Sequence, residues 1–181
     1  MRPDCTPMQH VFAHFIPDPA EALAARQSYW QRAVAAYYDL SAPADGTYEV
    51  LDALGARFRM GIIANQQAAI HDWMARHLLA DYFSPALYDC DLGFAKPDPR
   101  HFTCALEQAD CLPGRAVMIG DRLDNDIRPA KLLGMWTIRV RAFGDYTRFE
   151  PASPEETPHA TIHDIRALPA AIEEICRLAA N

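Results

Sequence analysis

The stretch Ala116–Gly134, AVMIGDRLDNDIRPAKLLG, decides the fold. Its first four residues, Ala116 to Ile119, are apolar and bounded by Gly114 and Gly120, the pattern of a buried parallel strand. Gly120 permits a tight turn, and Asp121 follows at the strand's carboxyl end. Asp124, Asn125 and Asp126 come next, then a helix. Asn125 or Asp126 is placed to cap that helix, Pro129 is tolerated in its first turn and Gly134 ends it. Carboxylates crowded at a strand end repel one another, and a shared cation is the usual remedy. Hard oxygen ligands favour Mg²⁺. A solvated acidic turn explains any single aspartate here; the whole strand–Gly–Asp–acidic–helix unit is better read as a metal site.

Other strand ends supply partners for that unit. MGIIA (60–64) is a second apolar strand candidate ending at Asn65, and Ala86–Tyr88 is a shorter third. Beyond it lies Phe94-Ala95-Lys96-Pro97-Asp98-Pro99, where two prolines force an extended loop and stop any helix before Asp98. Only Lys96 and Lys131 are lysines among 17 basic residues. In a chain that uses arginine by default, a lysine marks a place where a compact point charge is needed. Chance serves as well for Lys131.

Helical periodicity covers Ala20–Tyr38 (apolar face Leu23, Trp30, Val34, Tyr37 or Tyr38), Thr47–Leu54, Gln66–Leu79, Arg100–Ala109 and a terminal stretch ending near Leu178. Thr47 is placed to cap the second of these, and SAPADG (41–46) is a linker. Trp136–Val140 and Ala160–Ile162 are further strands, and Gly144–Thr157 is loop. The alternation of strands and helices predicts a parallel sheet wrapped by helices on both faces. Ligands bind such sheets at the carboxyl ends of the strands. Asn65, Lys96, Asp121 and Asp126 all fall there. A cation, an amide and an acidic metal-binding cluster together suit a phosphate group.

Composition sets the outer limits. The chain has 181 residues, half of them hydrophobic, with a formal net charge of −7. That is enough for one domain with a core and argues against a nucleic-acid surface. The sequence has no apolar run of membrane-spanning length, and MRPDCTPMQH lacks the order of a signal peptide. Five cysteines without a C-x-x-C pair fit buried thiols in a reducing cytosol. His159 and His163 have a spacing used in zinc sites, but without a cysteine pair nearby they read as ordinary loop and strand residues.

Three motifs in this order resemble those of the haloacid dehalogenase-like (HAD) hydrolase superfamily. Ile62-Ile63-Ala64-Asn65 is similar to its second motif, Gly93 to Pro99 to its third, and Gly120-Asp121 through Asn125-Asp126 to its fourth, over roughly residues 44–140. The resemblance implies a three-layer α/β/α Rossmann-like core (44–181) with an N-terminal helical-cap remnant (1–43). It implies that Lys96 holds a phosphoryl group and, with Asp121, serves catalysis. Ala64, through its backbone, and Asn65 join Lys96 in binding phosphate. Asp121 and Asp126 hold Mg²⁺, with Asn125 in support. Ala64 replaces the hydroxyl residue the second motif usually carries.

The superfamily's first motif, an apolar strand running into D-x-D, has no clear counterpart. Asp4 has no strand before it. Asp18 follows HVFAHFI but stands between two prolines, and Asp89-Cys90-Asp91 belongs with the third strand. On this reading the chain begins inside the cap and lacks a central strand between those of Asn65 and Asp121. The strands then close up, His10–Ile16 inserts, or a partner or second copy donates a strand. The leading expectation is a Mg²⁺-dependent phosphatase of small phosphorylated substrates, cytoplasmic and impaired in this chain. The alternatives are a non-catalytic binder of a phosphorylated ligand or partner on the same fold, and a dehalogenase, which the Mg²⁺-type fourth motif disfavours. A receiver domain is set aside because its acidic pair precedes its lysine.

Overall fold

The computed structural model describes residues 14–141 and 150–180. Asp4, most of the candidate strand His10–Ile16 and part of the loop Gly144–Thr157 therefore lie outside the described residues. The chain divides into two units, one up to Ala42 and one from Pro43 onward.

The first unit contains helix α1 (Pro19–Leu40). Asp18 is its N-cap: the carboxylate accepts the N–H groups of Ala20 and Glu21, at 2.9 and 2.8 Å. The apolar face predicted for this helix is not buried as expected. Ala22 and Tyr38 are buried, whereas Leu23, Trp30 and Tyr37 are 46, 48 and 58 % exposed. The alanines that let periodicity be read as close packing are themselves largely exposed.

The second unit carries the elements α2 (Thr47–Gly55), β1 (Ile62–Ala64), α3 (Ile70–Arg76), β2 (Ala86–Tyr88) and α4 (Asp89–Leu92). They are followed by α5 (Pro99–Gln108), β3 (Val117–Gly120), α6 (Arg128–Leu132), β4 (Trp136–Val140), β5 (Ala160–Ile162) and α7 (Leu168–Ala179). Gly46, in the left-handed region at φ +84°, is the N-cap of α2, so Thr47 is its first residue and caps nothing. The helix predicted from Gln66 begins only at Ile70, behind a turn, because Asn65 and Gln66 are held by other contacts described below.

Among the described residues all strand pairs are parallel, but they form two sheets. β1 pairs with β2, Ile63 opposite Leu87. β3 pairs with β4, and β4 with β5, Ile119 opposite Ile138 and Arg139 opposite Thr161. Period-2 alternation sends neighbouring side chains of β3 to opposite faces. Val117 joins a core made by Val50 and Leu54 of α2, Ile138 and Val140 of β4, and Leu168, Ile172 and Ile175 of α7. Met118 joins Phe102 and Leu106 of α5, Ala130 of α6 and Met135 on the other face, with Ile63 of β1 packed against them. Helices on both faces of parallel strands make the expected three layers.

β1 and β3 are the two strands predicted to flank an additional one, and they belong to separate sheets. They have not closed up. Between them lies an apolar cavity of about 450 Å³, lined by Ile62 and Ile63 on one side, Val117 and Ile119 on the other, and Phe102 and Leu54 from the helix layers.

Candidate functional site

Asn65 immediately follows β1, and its side chain grips the loop after β2. Its Oδ1 accepts the Lys96 backbone N–H at 2.7 Å, and its Nδ2 donates to the Lys96 carbonyl at 2.8 Å. The backbone partners fix the amide's orientation, since an N–H can only donate and a carbonyl only accept. The loop bearing the lysine is thus clamped to the end of β1. Next along the chain, the Gln66 N–H donates to Asp89 Oδ1 at 2.6 Å. Asp98, between Pro97 and Pro99, caps α5 by accepting the Arg100 N–H, so the helix starts only after it, as the two prolines require.

Lys96 then reaches across to the segment after β3. Its Nζ donates to Asp126 Oδ1 at 2.6 Å, with the two side chains 11 % and 4 % exposed. The other carboxylate oxygen, Oδ2, accepts the Arg122 N–H at 3.0 Å. Asp126 therefore does not cap the following helix. Leu123–Ile127 forms a π-turn leading into α6, and neither this turn nor α6 has a side-chain cap. The turn points Asp126 back at the strand end instead of forward at helix N–H groups. Its carboxylate lies so close over Gly120 that a Cβ there would stand 2.5 Å from its Cβ, Cγ and Oδ2. Gly120 is required for this approach, more than for its backbone angles.

Asp121 is half-buried beside this pair. Burial raises its carboxyl above the usual range, and the neighbouring Asp126 charge raises it further, against the opposing pull of Lys96 and Arg122. The Asp121 carbonyl accepts from Arg139 Nε at 3.3 Å, so a buried arginine of β4 braces the turn from behind. Burial lowers that arginine's pKa. Ala64 is the last residue of β1, and Asn125 sits half-buried in the π-turn. Arg122 closes the rim with a paired contact to Asp124, at 2.6 and 3.0 Å.

The structure thus brings Asn65, Lys96, Asp121 and Asp126 to one end of the parallel strands. Arg139 was not singled out from sequence, and Asp89 only as part of Asp89-Cys90-Asp91, placed with the third strand. Arg139 carried a signal: a charge in a strand whose neighbours are all apolar or β-branched. For Asp89 the D-x-D pattern did not reveal what it does, which is to accept the single Gln66 N–H from the residue after Asn65 at the end of β1. The donor set fits a divalent cation. Asp121 offers hard oxygens whose ionisation is disfavoured by burial and by a second carboxylate, and both penalties are relieved by a bound positive ion.

A family model described as haloacid dehalogenase-like hydrolase matches residues 11–134. A glyceraldehyde 3-phosphate phosphatase of Methanopyrus kandleri is 31% identical over 122 residues, which are 66% of this chain and 52% of that protein. A ribulose-1,5-bisphosphate 5-phosphatase of Halopiger xanaduensis is 30% identical over 153 residues, 84% of this chain and 63% of that protein. Among solved structures, a 2-haloacid dehalogenase of Pseudomonas syringae pv. Tomato DC3000 superposes with a TM-score of 0.68 at 27% identity, covering 92% of this chain and 70% of that one. The chain thus spans between half and two thirds of the length of these two phosphatases. No helix among the described residues is long and apolar enough to cross a membrane.

Proposed function

The chain belongs to the haloacid dehalogenase-like hydrolases, and we propose that its strand-end site binds the phosphoryl group of small phosphate monoesters together with Mg²⁺, as in a phosphatase. The observation that carries this reading is the buried Lys96–Asp126 pair set beside Asp121. Lys96 presents a preorganised point charge to phosphoryl oxygens, where charge accumulates during transfer. Asp126 holds that ammonium in place, and Asn65 fixes the backbone from which it projects. Asp121 and Asp126 are the residues to hold Mg²⁺, which supplies charge neutralisation on the phosphoryl oxygens when bound. The backbone at Ala64 and Asn65 faces the same end of the strands. The phosphatase names of the two relatives above support this substrate class over a halogenated acid, and so does an acidic pair suited to a hard cation.

Turnover through a covalent phosphoryl-aspartate requires a carboxylate in line with the leaving group. Asp18, which follows the strand-like run HVFAHFI, is committed to capping α1 and is exposed. We therefore expect this chain to bind phosphate far better than it hydrolyses esters, because ground-state binding alone does not lower the barrier.

The test is calorimetry with inorganic phosphate and Mg²⁺, beside an assay on generic phosphomonoesters. Phosphate binding is expected to need Mg²⁺ and to weaken about tenfold or more in Lys96→Ala, since a charged hydrogen bond is worth about 1.5–3 kcal/mol. Asp121→Asn, which keeps the ion pair, should remove the Mg²⁺ dependence. Phosphate binding indifferent to both variants would refute the site. Robust ester hydrolysis abolished by Lys96→Ala would keep the site and refute the expectation of weak turnover.

A further inference from the structure

Away from the residues that hold Lys96, a second group of ligating side chains converges on the surface. His71 lies on α3, and Cys90 and Asp91 on α4. His71 Nε2 stands 3.0 Å from Asp91 Oδ1, and Cys90 Sγ 3.8 Å from the same oxygen. One ligand atom from each residue falls within 4.8 Å of the others. Bond lengths of about 2.0–2.3 Å to N, O and S put tetrahedral ligand atoms roughly 3.3–3.8 Å apart. These separations already approach that arrangement, so small side-chain movements bring all three onto one ion.

The frame around them is fixed. The His71 ring meets Tyr88, a buried residue of β2, edge-on at 5.1 Å between centroids. The four-residue α4 is closed by Gly93 in the left-handed region, whose N–H donates to the Asp89 carbonyl. Asp89 is itself tied to Gln66. Three residue types, imidazole, thiolate and carboxylate, are the ligands of tetrahedral Zn²⁺, whereas a hard ion such as Mg²⁺ prefers oxygen alone.

We propose that His71, Cys90 and Asp91 form a surface site for a borderline-soft divalent ion, with Zn²⁺ the best match and water in the fourth position. Binding exchanges the Cys90 thiol proton, released to solvent, for a metal–sulfur bond. It also replaces the His71–Asp91 contact by two bonds to the ion. The bound ion would pin α3 to α4, joining the segments that follow β1 and β2. These are the segments that carry Asn65 and, a few residues further, Lys96.

Co²⁺ alone is the probe, because a cobalt–thiolate bond gives a charge-transfer band in the near ultraviolet that oxygen and nitrogen ligands do not. One equivalent of Co²⁺ is expected to produce the band in the reduced full chain, with Zn²⁺ bleaching it and excess Mg²⁺ leaving it. Cys90→Ser should abolish the band, and His71→Ala should weaken Co²⁺ binding about tenfold or more, one of three protein ligands being lost. Cys176→Ser, which removes another exposed thiol, and Asp121→Asn should keep it. Zn²⁺ should raise the melting temperature of the wild type and not of His71→Ala. His71 and Cys90 are exposed, so their variants are expected to fold, with circular dichroism as the check. No band in the wild type, a band that survives Cys90→Ser, or Co²⁺ affinity unchanged by His71→Ala would overturn the proposal.

Discussion

Two ion pairs whose carboxylates stand two residues apart, at Asp124 and Asp126, separate burial from proximity. Lys96–Asp126 and Arg122–Asp124 have the same 2.6 Å spacing, but the first is almost fully buried and the second has side chains 53 and 63 % exposed. Breaking a buried pair by removing one partner costs about 3–5 kcal/mol, because the other charge is left unpaired. An exposed pair is worth less than about 1 kcal/mol. Urea titrations near pH 7 should therefore show Lys96→Ala losing several times more stability than Asp124→Ala, with similar m-values. Equal losses would mean the buried pair does not hold the strand ends together. Gly120 extends the same argument to the backbone. A methyl group there meets the Asp126 carboxylate at 2.5 Å, and over-packing of this kind costs about 1–3 kcal/mol. Gly120→Ala should displace Asp126, weaken phosphate binding and leave β3 itself paired. A crystal structure of the variant with Asp126 unmoved would contradict this.

At the level of elements, the sequence was most legible where chemistry and periodicity coincide. β1, β2, β3, β4 and β5 all lie where apolar runs and glycines placed them, and the polar residues beyond them converge as their order implied. The failures at the site share one physical cause: local patterns do not reveal partners distant in sequence. Asp126 faces backward because Lys96, 30 residues away, claims it. α3 starts late because Asn65 and Gln66 are held by the β2 side. His101 illustrates the same limit. It was not singled out from sequence, yet it is fully buried on α5, with Nε2 donating to the Leu87 carbonyl of β2 at 3.1 Å. Its Nδ1 is buried without a hydrogen-bond partner. Burial lowers its pKa, with Lys96 adding to the effect against the Leu87 bond. Burial lowers that of His159 as well. Native His101 and His159 therefore resist protonation at a pH where the unfolded chain, titrating near about 6.5, accepts it. The unfolded state then binds more protons, so stability rises with pH through this window and is lost as pH falls below about 6.5. Denaturation midpoints followed from pH 7.5 to 5 should fall in the wild type and fall less steeply in His101→Gln. Parallel slopes would exclude His101 as a source.

At the level of the second unit, the described residues form two parallel sheets that share helix layers without sharing a strand. β1 and β2 have three residues each, and all of β1 is only half-buried. In β4, four of five residues are buried, flanked by β3 and β5 and covered by α2 and α7. The bridge between the sheets is largely side-chain packing on one face, where Ile63 meets the cluster of Phe102 and Met118. The cavity between β1 and β3 interrupts the rest, and apolar atoms lining a void lose contacts that a neighbouring strand would supply. Cooperative units in a fold follow buried apolar contact and backbone pairing, and regions poor in both open below the global unfolding free energy. We expect β1–β2 to be such a unit. In native-state hydrogen exchange, amides of 62–64 and 86–88 should lose protection in mild urea, well before those of 117–120 and 136–140. Phe102→Ala, a truncation that typically costs about 3–5 kcal/mol, should widen that difference, because it removes the largest side chain joining the two sheets. If both sets of amides exchange with the same free energy and the same urea dependence, the sheets unfold as one unit and the helix layers alone suffice to couple them.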